Sequence, residues 1–83
     1  KAKAGTRADK APLRRKATEA EKEMTRLTRK RSLIESKMAQ PDFYNSPAIR
    51  ITAFQKELAD VKAAILEAET RWLEAEEALE VAD

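Results

Sequence analysis

Two unbroken rows of residues, spaced alternately three and four apart, constrain this chain more than any other feature. The first runs Leu13, Ala17, Ala20, Met24, Leu27, Arg31, Ile34, Met38. The second runs Ile51, Phe54, Leu58, Val61, Ile65, Ala68, Trp72, Ala75, Leu79, Ala82. A repeat averaging 3.5 residues lays each row along one stripe of an α-helix, the seam of a coiled coil. Only Arg31 breaks the small-or-apolar rule of the two rows.

The rows are separated by Pro41-Asp42-Phe43-Tyr44-Asn45-Ser46-Pro47. Pro41 disfavours helix at Gln40. Ser46 followed by Pro47 reads as an N-cap and first helical residue. The segment between is a short helix–helix connection. The fold class that follows is all-α, a two-helix antiparallel coiled-coil hairpin over residues 9–83. Helix 1 is expected over about 10–39, the turn over 40–46 and helix 2 over about 47–81. Asp9 is a candidate N-cap, and Pro12 falls in the first turn, where a missing N–H costs little. Residues 1–8 are basic, small and aperiodic, and read as a flexible linker. The chain opens on Lys1 rather than Met, which reads as a segment of a longer protein.

Counting outward from the turn pairs Met38 with Ile51, Ile34 with Phe54, Met24 with Ile65 and Ala17 with Trp72. Small Ala17 and Ala20 then face bulky Trp72 and Ile65, which conserves volume across the seam. Beside the seam, Lys30 can approach Glu57 and Arg14 can approach Glu76. Lys16 near Arg71 is a like-charge conflict in the same register.

Composition removes whole classes of chemistry. The 83 residues include no Cys, no His and one Gly. There is thus no thiol or imidazole nucleophile, no ordinary zinc site and no disulfide. One Gly builds no phosphate-cradling Gly-rich loop. No apolar run approaches membrane-spanning length, and no signal peptide is present. No catalytic residue, metal ligand or bound cofactor is expected within this segment. Glu67, Glu69, Glu74, Glu76, Glu77 and Glu80 cluster on helix 2, but a two-helix rod offers no desolvated pocket to tune them. They read as solvated surface.

Charge is segregated. Residues 1–40 hold 13 basic and 5 acidic side chains, net +8, whereas residues 41–83 hold 4 and 10, net −6. Arg15, Lys22 and Arg29 recur every seven residues opposite the seam, about 10 Å apart. Arg14, Lys16, Arg26 and Lys30 broaden that stripe. It is suited to tracking a phosphate backbone, with salt-sensitive and mostly sequence-independent binding. The competing reading is a solvated rod pairing with its acidic partner helix. Arg31 reads as snorkelling past Leu58 toward Glu57 or Asp60 and fixing register, with a phosphate contact as the alternative. Pro41, Phe43 and Tyr44 mark the hairpin tip. The two rings either fold back on Leu33, Ile34 and Phe54 to plug the seam end or stack on an exposed base. Plugging is favoured, since the tip otherwise exposes the seam. Leu66 and Leu73, seven apart and off the seam, outline a shallow partner face.

The helix ending in Ala39-Gln40-Pro41-Asp42-Phe43-Tyr44, followed by a helix carrying Arg71-Trp72-Leu73-Glu74-Ala75-Glu76, resembles the C-terminal domain of Uup-like ABC-F ATP-binding cassette proteins. The resemblance covers about residues 10–80. It implies a cytoplasmic parent with two tandem ATPase domains, which use ATP and Mg, and no transmembrane domain. It also implies action on ribosomes in translation, with the hairpin binding DNA or ribosomal RNA. No catalytic or ATP-binding residue carries over to this segment. The alternative function is a structural or protein-interaction coiled coil that self-associates or docks on the parent ATPase domains.

Overall fold

A computed structural model describes the backbone of residues 2–82 and the side chains of residues 10–81. Helix α1 spans Ala2–Met38, a single 3-10 turn η1 spans Phe43–Asn45, and helix α2 spans Ala48–Ala82. The two helices pack along one another as an antiparallel hairpin measuring 66 × 14 × 13 Å. No strand occurs among the described residues.

The seam is the core. Leu27, Ile34, Val61, Ile65 and Ala68 form one buried cluster, with Met24, Met38, Phe54 and Leu58 packed against it. All nine are seam residues, as a 3.5-residue repeat requires, and Ala64, one position before Ile65, packs against them from beside the seam. Ala17, Ala20 and Ala75 are buried further toward the open end, and Ala68 is 0% exposed. Burying a side chain such as Leu27 contributes roughly 1.5–3 kcal/mol.

The basic linker expected over residues 1–8 has its side chains outside the described residues. The backbone from Ala2 onward already belongs to α1, so Asp9 lies inside the helix rather than at its start. Ala2, Ala4, Ala8 and Ala11 favour helix strongly enough to offset Gly5 and Asp9. Pro12 is accommodated within the helix, at the loss of one backbone hydrogen bond.

The turn is built from backbone hydrogen bonds. The Phe43 N–H donates to the Gln40 carbonyl at 3.0 Å, and the Asn45 N–H to the Asp42 carbonyl at 3.1 Å. Ser46 differs from the sequence expectation. Its hydroxyl caps nothing; its N–H donates to the Phe43 carbonyl at 3.0 Å and its backbone is extended (φ −69°, ψ 162°). Pro47 imposes that extension on the residue before it. The Pro47 carbonyl then accepts from Ile51 at 3.2 Å, opening the ladder of α2.

Phe43 plugs the seam end and is 4% exposed. Its ring meets Phe54 edge-on at 5.2 Å. Tyr44 does not join it inside; it is 59% exposed, as is Leu33 to a similar degree. The two tip aromatics therefore have different fates, because consecutive residues of a 3-10 turn project about 120° apart.

Candidate nucleic-acid interface

The outer face of α1 collects the cations. Arg14, Arg15, Lys16, Lys22, Arg26, Arg29 and Lys30 are all exposed. Lys22, Arg26, Arg29 and Lys30 line one shallow hollow of about 730 Å³ on this helix, together with Thr18, Thr25, Leu33 and one carboxylate, Glu21. Arg14 and Arg15 lie one to two turns further toward the N-terminus. Lys16 is not on this face. It lines a cleft between the helices at their open end with Glu19, Glu23, Arg71 and Glu74.

Ion pairing sorts the candidates further. Arg26 donates to both carboxylate oxygens of Glu23, at 3.0 and 2.6 Å. That hydrogen bond, with the charges of Arg26 and Arg71, holds the Glu23 carboxyl below its ordinary value of 4.5. The same hydrogen bond raises the Arg26 guanidinium. Both groups lie at the surface, so the pair biases geometry more than it stabilises. Among the described residues, Arg14, Arg15, Lys16, Lys22, Arg29 and Lys30 carry no ion pair or side-chain hydrogen bond.

The cross-helix pairs expected from sequence do not close. Lys30 does not reach Glu57 and Arg14 does not reach Glu76. The three ion pairs among the described residues all lie within a helix: Arg26–Glu23, Arg31–Glu35 and Lys56–Asp60. Arg31 also corrects the sequence reading. It turns to Glu35 on its own helix, 3.8 Å away, rather than to Glu57 or Asp60, and its buried Nε lacks a hydrogen bond. A neighbour three or four residues along is reached with less loss of side-chain entropy than one across the seam. The Lys16–Arg71 conflict is relieved in place, since Glu19, Glu23 and Glu74 share their cleft.

The sequence reading missed a row of hydroxyls. Thr18, Thr25, Thr28, Ser32 and Ser36 line the outer hollows of α1 beside the cations. Thr18, Thr25 and Ser32 are seven apart, a spacing that was available in the sequence. Hydroxyls and cations together form the donor set that phosphate oxygens accept from. Thr25 also donates to the Glu21 carbonyl at 3.1 Å.

The outer face of α2 has another character. Leu66 and Leu73 are 64% and 53% exposed, with Ala59, Ala63 and Thr70 exposed beside them. Trp72 sits half-buried, its Nε1 without a hydrogen-bond partner. No group of carboxylates among the described residues is placed to hold a metal ion. No described helix is long and apolar enough to cross a membrane.

The sequence profile of the ABC transporter C-terminal domain matches residues 12–77, the length of the hairpin proper. The chain belongs to that family. Among curated proteins and solved structures nothing matches it. Within the ABC transporter C-terminal domain, the matched segment contains both seams through Ala75, the tip and the whole candidate stripe.

Proposed function

We propose that this chain is the non-catalytic, nucleic-acid-binding C-terminal domain of a Uup-like ABC-F ATPase. It holds the phosphates of duplex DNA or ribosomal RNA on the outer face of α1. ATP and Mg belong to the parent's ATPase domains, and the protein works in the cytoplasm, on ribosomes or other nucleic acid. The observation that carries this reading is the row Arg15, Lys22 and Arg29. These cations are exposed, seven residues apart and without ion-pair partners, on the face turned away from the acidic helix. Charges left unpaired on a hairpin with carboxylates available are available to a polyanion.

The test is a titration of fluorescent duplex DNA and duplex RNA at several salt concentrations. Three phosphate contacts give a slope of about −2.7 in log affinity against log salt, or roughly a 40-fold loss between 50 and 200 mM. Undetectable binding at 50 mM, or affinity indifferent to salt, overturns the reading.

A second reading is protein docking through Leu66, Leu73 and the acidic face of α2, supported by the exposure of Leu66 and Leu73. Self-association is its simplest form, and sedimentation across a concentration series tests that form. A single monomeric species at all concentrations rejects it.

A further inference from the structure

The stripe on α1 accounts for phosphates and leaves the tip unexplained. Three rings stand in series there. Phe54 meets Phe43 edge-on at 5.2 Å, and Phe43 meets Tyr44 edge-on at 5.0 Å with an interplanar angle of 88°. Phe43 is buried, so it anchors the turn; Tyr44, next along, is open to solvent. The Lys37 ammonium lies 6.0 Å from the Phe54 centroid, and the Arg50 guanidinium lies 5.1 Å from it. Both cations are exposed and neither has an ion pair among the described residues. Against them the turn sets one carboxylate, Asp42.

An exposed aromatic ring braced from behind is costly to leave wet and loses little freedom on binding. Cations gathered on Phe54, at the far end of the ring series from Tyr44, favour a flat ligand that carries negative charge. A nucleobase with its own phosphate has both properties, and base–aromatic stacking tolerates any base. Distance agrees with this. Nine residues of helix separate Arg29 from Met38, about 14 Å of rise, so a strand lying along the stripe arrives at the tip within a few nucleotides.

We propose that the hairpin tip is a base-stacking site, in which Tyr44 takes one unpaired nucleobase while Lys37 and Arg50 attract its phosphate. The inference rests on the phosphate-binding reading of α1 and adds the class of ligand: a duplex that ends in unpaired bases. Phe43 is a positioning residue, holding the Tyr44 ring edge-on and clear of the seam.

The test compares two fluorescent 12-base-pair duplexes. One carries a four-thymidine overhang, the other a four-nucleotide abasic overhang with the same phosphates. The wild-type chain binds the thymidine overhang about tenfold more tightly. Tyr44→Ala removes that preference and leaves affinity for the abasic duplex unchanged. Tyr44→Trp keeps it. Because Tyr44 is exposed, the variants retain the wild-type circular dichroism, and upfield ring-proton shifts of Tyr44 on adding the thymidine duplex report stacking directly. Equal wild-type affinity for both duplexes overturns the tip site while sparing the α1 reading, and so does a preference that survives Tyr44→Ala. Failure to bind either duplex at 50 mM salt overturns both.

Discussion

The two helices bury similar seams and expose opposite outer faces. On α1 the outward positions carry Arg15, Lys22 and Arg29 with Thr18, Thr25 and Ser32 between them. On α2 the corresponding stretch carries Ala59, Ala63, Leu66, Thr70 and Leu73. The core makes no demand on either row, since neither touches the seam. What differs between them is therefore free of the fold. A solubilising surface mixes both signs of charge. The outer face of α1 collects cations and hydroxyls with Glu21 among them, whereas on α2 an uncharged strip from Ala59 to Leu73 is flanked by the exposed charges Asp60, Lys62, Glu67, Glu69 and Arg71.

The sharpest way to break the contrast is to reverse one face. The triple variant Arg15→Glu, Lys22→Glu, Arg29→Glu is expected to lose about 100-fold in duplex affinity, near 1 kcal/mol for each phosphate contact. Its melting temperature stays within a few degrees of wild type, because exposed unpaired side chains carry little stability. Unfolding of the variant removes the contrast as an explanation.

A smaller change runs the other way. Glu23→Gln releases Arg26 from its two hydrogen bonds. Duplex affinity then rises a few-fold, and the salt slope steepens by about 0.9 as one more phosphate contact forms. Acidification reaches the same state. Glu23 is held below its ordinary value, so the pairing persists above that value and is lost as pH falls through the depressed one. A side-chain NMR titration of Glu23 with its midpoint at or above 4.5 contradicts the pairing.

The smallest effect belongs to the other helix. Leu66→Glu with Leu73→Glu is expected to shift stability by less than about 0.5 kcal/mol per site. Duplex affinity changes less than about threefold, because the new charges lie across the rod, beyond a Debye length of about 8 Å. A large loss of duplex binding in this variant transfers the interface to α2.

Much of this was legible in the residues. A 3.5-residue repeat lays its residues along one helix stripe that packing must cover, so the seam from Met24 to Ala68 and its burial follow from spacing. The plugging role of Phe43 follows from the need to close a seam end. Other features turn on geometry that spacing does not carry. Arg31 has acceptors within reach on both helices, and its choice of Glu35 depends on rotamer entropy. Ser46 has the side chain and the extended backbone of a cap, yet its hydroxyl makes no hydrogen bond and the ladder of α2 opens from the Pro47 carbonyl. The split between Phe43 and Tyr44 arises from the 3-10 turn, which no apolar repeat announces. The hydroxyl row was present at heptad spacing and went unread because Ser and Thr on a helix surface are usually inert.

The unequal filling of the seam has a kinetic consequence. The Phe43 plug closes the tip, while the open end carries buried Ala17, Ala20 and Ala75 beside only half-buried Leu13, Trp72 and Leu79. Contacts at the tip also span the fewest residues, so they close first and at the least entropic cost. The hairpin is expected to zip from the turn outward and to fray from the far end inward. Amide exchange measures this as a gradient, with protection highest around Ile34 and Phe54 and falling toward Leu13 and Leu79. Uniform protection along the rod rejects the gradient. Its presence means that a ligand spanning the stripe contacts a rod that stiffens steadily toward its closed end.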